Sequence, residues 1–260
     1  MKIAHISDLH FGCASDEIRD ALLAHILSEG VDLVIASGDI TQSATVAEFE
    51  QAHAFFAQLP MPVFAIPGNH DLPGMDFARF FNPFARYKRF INEDLNPERE
   101  TPLVHIKGIN TARMILPHWN WANGSVSDRQ CAQIAECFEA SSAPWRVLVQ
   151  HHPIMSPKEF PLDVTVFHSE NLLQTIAEQM VDIVLAGHQH HAYIETREDD
   201  SQANGHQTLF VSASTAMSLR VRRQPQGFNM LTFTETSVRI DLLRYCDGRF
   251  SMFEALSHSK

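Results

Sequence analysis

The sequence predicts an α/β fold, a sheet core with helices on both outer faces, and three observations carry that expectation. Short apolar runs alternate with helical patterns through most of the chain, as in KIAHI, VDLVIAS, MPVFAI, RVLVQ and VDIVLA. The C-terminal part switches to strand alternation, as in FNMLTFTETSVRIDLLRY. Several apolar runs end abruptly in Asp, Asn or His, the habit of strands that deliver side chains to a shared site.

In chain order, KIAHI is the first strand. A helix follows from Asp16 to Glu29, with Ile18, Leu22 and Ile26 on one face and Gly30 as its stop. VDLVIAS reads as a buried strand. Thr45 and Glu48 form a TxxE capping box that opens a second helix, expected to bury Phe49, Ala52, Phe56 and Leu59 before MPVFAI resumes as strand. This is a βαβαβ pattern. Ser127 to Gln130, SDRQ, fits an SxxQ cap opening a helix; RVLVQ is a strand, Ser169 to Met180 a helix and VDIVLA another strand. Antiparallel strands close the chain. No linker or low-complexity segment interrupts it, so one domain over residues 1–260 is expected.

The chain is long enough, at 260 residues, to bury a large core without disulfides. Its longest apolar runs, such as Val31 to Ala36, fall far short of the roughly 18 residues that span a bilayer, so no membrane partner is expected. MKIAHISDLH lacks the apolar stretch of a secretory signal, which points to the cytoplasm. Cys13, Cys131, Cys137 and Cys246 show no CxxC spacing and read as reduced packing residues. Lys plus Arg total 20 against 31 Asp plus Glu, and a net charge of −11 opposes broad capture of nucleic acid. No nucleic-acid partner is expected, and a phosphate-bearing ligand must be attracted locally. Fifteen histidines are many, and they gather as His5 and His10, His151 and His152, and His188, His190 and His191. Such clusters suit metal. His25, His53, His206 and His258 are assigned no role.

HISDLH, VIASGDI, FAIPGNHD, VLVQHHP and VLAGHQHH repeat one event, an apolar strand ending in polar donors. Ligand sites of α/β sheets lie at the carboxyl ends of the strands, so these five clusters should converge. The donors there are Asp8, His10, Asp39, Asn69, His151, His188 and His190. Imidazole and carboxylate without thiolate suit Zn, Mn, Fe or Co. Seven ligands exceed what one open catalytic ion needs and suffice for two divalent ions, roughly 3.5–4 Å apart, if one carboxylate bridges. Two such ions bring +4 against the two carboxylates, leaving a positive site able to capture a phosphate within an acidic protein.

The series DLH, GD, GNHD, HHP and GHQH, in order from Asp8 to His190, resembles the calcineurin-like metallophosphoesterase superfamily, whose signature runs D-x-H, G-D, G-N-H-[DE], H-x-P and G-H-x-H. The chain's size, NTAR followed by WNWANG, and the HHP form look like the bacterial class III cyclic nucleotide phosphodiesterases and their glycerophosphodiesterase relatives. The resemblance implies a four-layer α-β-β-α sandwich with a dinuclear metal site at the carboxyl ends of the strands. It implies that Asp8, His10 and His190 hold one metal, that Asn69, His151 and His188 hold the other, and that Asp39 bridges both. It further places a hydroxide between the ions as nucleophile and His70 beside the scissile phosphate, outside the metal shell. A histidine in that place can serve as general acid to the leaving oxygen. Asp71 reads either as a carboxylate orienting His70 or a neighbouring ligand, or as an ordinary turn residue.

In an extended VQHHP successive side chains point to opposite faces, so His151 and His152 are not expected to bind the same ions. His152 and His191 then read as pocket-wall groups or as supports to the ligands, with His191 a candidate substrate contact. The WNWANG loop, with Trp119, Asn120 and Trp121, is a candidate substrate wall, since Trp can stack on a base and Asn can read polar groups; aromatic packing is the plainer reading. Arg113 and the group Arg220, Arg222 and Arg223 could meet a phosphate or face solvent, and spacing does not decide.

The expected activity is hydrolysis of small phosphodiesters, with cyclic nucleotides and glycerophosphodiesters as candidate substrates. The alternative within the superfamily is a monoesterase or a hydrolase of a nucleotide-linked lipid precursor. A lipid-facing enzyme would carry an amphipathic basic insertion, and residues 77–91, FARFFNPFARYKRFI, have that composition. A helix packing Phe80, Phe84 and Tyr87 on the core explains them more simply, and Pro83 would interrupt a membrane helix. A binding scaffold that had lost catalysis would lack His70 or some ligands, and none is missing. The oligomeric state is open, with a homodimer among the expectations.

Overall fold

The computed structural model describes residues 1–74, 81–115, 120, 122–158, 161, 166–198, 205–222 and 224–260. Strands β1 (Lys2–Ile6), β2 (Leu33–Ser37) and β3 (Val63–Ile66) are too apolar to leave either face in water, and they pair in parallel. Their alternation divides them between two cores. Ile3, Ile35, Phe64 and Ile66 point inward, whereas Ala4, Ile6, Val34 and Ala65 point outward.

The outward face is covered by α1 (Asp16–Ser28), α2 (Val46–Phe56) and α3 (Ala85–Phe90), which contribute Ile18, Leu22, Ile26, Phe49, Phe55 and Tyr87. The other edge of β1 takes β12 (Gly227–Phe233) antiparallel, followed by β13 (Ser237–Cys246) and β14 (Arg249–Ser259). A second six-stranded sheet runs β10-β11-β9-β7-β5-β4, formed by β4 (Glu98–Glu100), β5 (Val104–Gly108), β7 (Trp145–Val149), β9 (Ile183–Ala186), β10 (Tyr193–Glu198) and β11 (Gln207–Ser212). A short parallel pair joins β6 (Gly124–Ser125) to β8 (Val166–Phe167). Val147, Val149, Ile183, Leu185 and Val211 of the second sheet meet the first across a shared apolar layer. Its outer face is covered by α4 (Asp128–Glu139) and α5 (Ser169–Glu178), through Ile134, Phe138, Leu172 and Ile176. The order of layers is therefore α-β-β-α.

Local chemistry sets the helix starts. Thr45 and Glu48 cap α2 reciprocally, at 3.2 and 3.0 Å, and Ser127 and Gln130 do the same for α4, at 3.3 and 3.1 Å. Two expectations fail in detail. The buried stripe of α2 runs Phe49, Ala52, Phe55 rather than ending on Phe56, because Phe11 brings its ring within 5.8 Å of Phe55; Leu59 is buried, but beyond the helix. Helix α5 stops at Glu178, and Met180 turns left-handed at φ 46°. Phe84 and Tyr87 are buried as expected, while Phe80 lies outside the described residues. Among the described residues no helix is long and apolar enough to cross a membrane.

Candidate metal centre

Five strand ends deliver their polar residues to one place. Asp8 and His10 follow β1, Asp39 follows β2, Asn69 opens a 3-10 turn after β3, His151 follows β7, and His188 and His190 follow β9. The Nε2 atoms of His10 and His190 lie 3.1 Å apart, and His190 Nε2 is 3.2 Å from Asp8 Oδ1. Asp39 Oδ2 stands between two groups, 3.8 Å from His10 Nε2 and 3.3 Å from His151 Nε2, which is itself 3.3 Å from His188 Nδ1. Asp8, His10 and His190 form one cluster of potential ligands, and Asp8, Asp39 and His151 another.

The turns that achieve this are costly. Asp8, His10, Asp39, His188 and His190 have φ of 52°, 47°, 49°, 70° and 52°, five of the nine non-glycine residues with left-handed backbone among the described residues. Each such residue costs about 1–2 kcal/mol, and strain concentrated this way belongs to a functional site. Gly68 is required by contact: a Cβ there would stand 2.3 Å from the backbone nitrogen of Asp39. The Asp71 carboxylate accepts from the backbone of Ile40, Thr41 and Gly68 and from the Thr41 hydroxyl, at 2.8 to 3.2 Å. It therefore braces the turn that carries Asp39. Orientation of the His70 ring, one role expected for Asp71, falls instead to the Gln42 carbonyl.

The residues fit metal on their own evidence. His151 Nδ1 donates to the Ser37 carbonyl at 2.8 Å and His190 Nδ1 to the Arg220 carbonyl at 2.5 Å, so in both rings Nε2 faces the cluster. Asp8 Oδ1 and Asn69 Oδ1 are buried without hydrogen-bond partners. Burial pushes His10 down to about 4 and His188 to about 3, keeping both imidazoles neutral and able to ligate. Burial works the same way on His151, but Asp39 beside it outweighs that and lifts the ring to about 9; a cation taking Nε2 would displace that proton.

His70 adjoins this cluster, its ring 4.8 Å from that of His10, and with His10 and Asp39 it forms a further group of potential ligands. Both of its nitrogens are engaged. Nδ1 donates to the Gln42 carbonyl at 2.7 Å, and Nε2 lies 3.2 Å from Arg220 Nη1, which also donates to Gln42 Oε1 at 3.1 Å. Arg220 and Gln42 were not singled out by a motif. Gln42 lies three residues past Asp39, and Arg220 is 150 positions from His70, so only the fold joins them.

The divergence expected of His151 and His152 is not seen. Strand β7 ends at Val149, so the alternation expected of VQHHP has lapsed, and His151, His152 and His188 form another cluster of potential ligands. His152 Nδ1 pairs with Thr111 Oγ1 at 2.7 Å, while its Nε2 has no hydrogen-bond partner. His191 Nε2 meets Gln224 at 3.0 Å. Arg113 donates to the carbonyls of Asn110 and Ala112 and to Gln130 Oε1, a brace rather than a phosphate ligand. His5 is a core group, its Nε2 2.9 Å from Ser37 Oγ and its Nδ1 accepting from Asn229 at 3.2 Å. Asn120 is exposed and its Oδ1 accepts from the Ala122 backbone at 3.0 Å; Trp119, Trp121 and Arg223 lie outside the described residues.

Known proteins share both sequence and fold. The family described as calcineurin-like phosphoesterase matches residues 1–192. A probable cyclic nucleotide phosphodiesterase of Synechococcus is 24% identical over 241 residues, covering 89% of this chain and 87% of its own. The glycerophosphodiester phosphodiesterase GpdQ of Enterobacter lignolyticus is 26% identical over 206 residues, 73% of this chain and 71% of its own. The 3′,5′-cyclic adenosine monophosphate phosphodiesterase CpdA of Haemophilus influenzae is 24% identical over 263 residues, 95% and 87% respectively. Among solved structures, a dimetal phosphatase of Danio rerio superposes with a TM-score of 0.69 at 14% identity, covering 100% of this chain and 98% of that one. Purple acid phosphatase PPD1 of yellow lupin gives 0.72 at 15% identity, covering 100% of this chain and 53% of that one. With five motif-bearing strand ends gathered as this fold gathers them, the chain belongs to the calcineurin-like phosphoesterase family and is a metallophosphoesterase.

Proposed function

We propose that this chain is a metal-dependent phosphodiesterase for small phosphodiesters, with 3′,5′-cyclic nucleotides and glycerophosphodiesters as its substrate classes. One observation carries the mechanism: although His70 groups with His10 and Asp39 as a potential ligand, both of its nitrogens are hydrogen-bonded elsewhere. The names of the aligned relatives support the substrate classes. Residues 1–260 are taken as one domain, since β12 beyond the family match pairs with β1 inside it. A cytoplasmic location accords with four cysteines that form no disulfide.

In this reading Asp8, His10 and His190 would hold one divalent transition ion and Asn69, His151 and His188 a second, with the Asp39 carboxylate available to both. Mn, Fe, Zn and Co all suit that donor set. Bound there, the ions supply Lewis acidity at the phosphoryl oxygens and make water nucleophilic near neutral pH. The protein does the rest. The Gln42 carbonyl holds the His70 proton on Nδ1, so Nε2 is the atom that faces the substrate. Arg220 donates to that Nε2 until a phosphate oxygen competes for the guanidinium. Released, Nε2 can take a proton from solvent, the ring becoming an imidazolium, and pass it to the departing alkoxide, which restores the neutral ring. Asp71 keeps the Asp39 turn in place throughout.

Arg220 is also the observation that favours a monoester reading, because a second phosphate charge would reward a nearby guanidinium. The deciding experiment assays bis(p-nitrophenyl) phosphate, 3′,5′-cyclic AMP, glycerophosphoethanolamine and p-nitrophenyl phosphate with defined metals. Higher kcat/KM on the diesters is the expected result. Equal or better monoester turnover would overturn the diesterase reading and leave the family assignment standing.

A further inference from the structure

Glu98, His105 and Cys137 meet away from the candidate centre, near the start of β5 rather than beyond the strands' carboxyl ends. Three elements supply them: the edge strand β4, its neighbour β5, and α4. His105 Nε2 lies 3.2 Å from Glu98 Oε1 and 3.3 Å from Cys137 Sγ, and all three atoms fall within 4.8 Å of one another. A tetrahedral zinc ion, with bonds of about 2.0–2.3 Å, sets its ligand atoms roughly 3.3–3.6 Å apart. The two observed edges are close to that triangle.

A neutral His105 cannot satisfy both of its nitrogens within the protein. A neutral imidazole has one proton. Placed on Nε2, it serves the carboxylate and leaves Nδ1 buried with no hydrogen-bond partner. Placed on Nδ1, it points toward Glu100 Oε1 at 3.8 Å and leaves Nε2 a bare acceptor against a carboxylate. A second proton or a metal cation on Nε2 resolves both, and the cation also uses the Cys137 sulfur 3.3 Å away, with Nδ1–H facing Glu100 in a carboxylate–histidine–metal arrangement. Lys107 Nζ holds the other oxygen of Glu98 at 3.4 Å and the Asn96 carbonyl at 3.0 Å, leaving Oε1 for the ion. His105 and Cys137 are buried, whereas the Glu98 side chain is 48% exposed, so a fourth position opens to water.

We propose that Glu98, His105 and Cys137 form a binding site for a thiophilic divalent cation of the zinc class, separate from the candidate centre. A nitrogen, sulfur and oxygen set selects zinc or cobalt over magnesium and calcium. Binding breaks the Cys137 S–H bond, forms a sulfur–metal bond and releases the proton to solvent, with no change of oxidation state. Burial, and after it the Glu98 charge, pushes the thiol up to about 12, so uptake strengthens as pH rises. The bound ion ties edge strand β4 and helix α4 to β5.

The test is a cobalt(II) titration of the full-length protein, read by the near-ultraviolet charge-transfer absorption that a thiolate ligand produces and that imidazole and carboxylate do not. One equivalent of thiolate-bound cobalt, displaced by zinc, is expected. Cys137→Ser should abolish the band, and Glu98→Gln, at an exposed position, should weaken cobalt binding by more than about tenfold. No band in the unaltered protein, or a band that survives Cys137→Ser, overturns the proposal. Should Cys137→Ser fail to fold, unchanged cobalt affinity in Glu98→Gln overturns it instead. The readout is independent of turnover, so it stands apart from the phosphodiesterase reading.

Discussion

His70 is bonded at both ring nitrogens, and those two bonds define a test of its role. If it acts on the leaving group and not on the ions, His70→Ala should keep both metals by elemental analysis and lose about 10²–10⁴ in turnover on alkoxide leaving groups. The loss should shrink for nitrophenolate, which departs without a proton. Loss of an ion in His70→Ala would make the ring a ligand. His5 makes a different prediction. Burial, against a smaller opposing pull from Asp8, pushes its ring down to about 3. It stays neutral in the fold but takes a proton in the unfolded chain below about 6.5. Its contribution to stability is therefore whole above that pH and is lost as pH falls toward 3, at up to about 1.4 kcal/mol per pH unit. His5→Gln, compared with the unaltered protein at one metal concentration, should show a shallower fall of urea midpoint between pH 6.5 and 4. Equal slopes would mean that His5 is not the group responsible. At this scale the sequence was legible wherever a residue sat in a motif, as Asp8, Asp39 and His190 do. Arg220 was open between phosphate and solvent in the sequence, because its pairing is with a histidine 150 positions away.

The strand-to-loop turns show why element type could be read while side-chain placement sometimes could not. A capping box such as Thr45 with Glu48 is written within four residues, and it appears where the sequence puts it. The choice of Phe55 over Phe56 depends on Phe11, in another element, and the fate of His152 depends on β7 ending at Val149. Glycines separate these two kinds of information. Gly30 and Gly38 both have left-handed backbone, at φ 63° and 98°. A Cβ on Gly30 would meet nothing within 4 Å, whereas one on Gly38 would stand 2.6 Å from His151 Nδ1 and 2.9 Å from the Gly68 nitrogen. Gly30→Ala should thus cost only backbone strain, about 1–2 kcal/mol by chemical denaturation, with metal content intact. Gly38→Ala should also displace His151 and lower metal occupancy and turnover together. Full metal occupancy in Gly38→Ala would show that the turn yields without moving the ligand.

The molecule as a whole closes its site with segments that lie beyond the stretch matching the family. That match ends at residue 192, yet β1 is flanked on one side by β12, which pairs Ile3 with Leu231 and Ala4 with Met230. The loop before β12 reaches the ligands directly. Thr215 Oγ1 donates to the Asp8 carbonyl at 2.6 Å, the Ala216 backbone donates to Ser7, and the Arg220 carbonyl fixes the His190 ring. Leu231, Phe233, Val238, Ile240 and Leu242 supply part of the apolar layer between the sheets. A chain cut after Ala192 would expose one edge of β1, open that layer and leave His190 without the acceptor that aims its Nε2. Such a fragment should be unfolded or molten, lacking sharp near-ultraviolet circular dichroism, and should bind no more metal than its unfolded histidines do. A fragment of residues 1–192 that melts cooperatively and retains two ions would show the reverse: that the matched segment is a folding unit in its own right, with the C-terminal strands an addition to it.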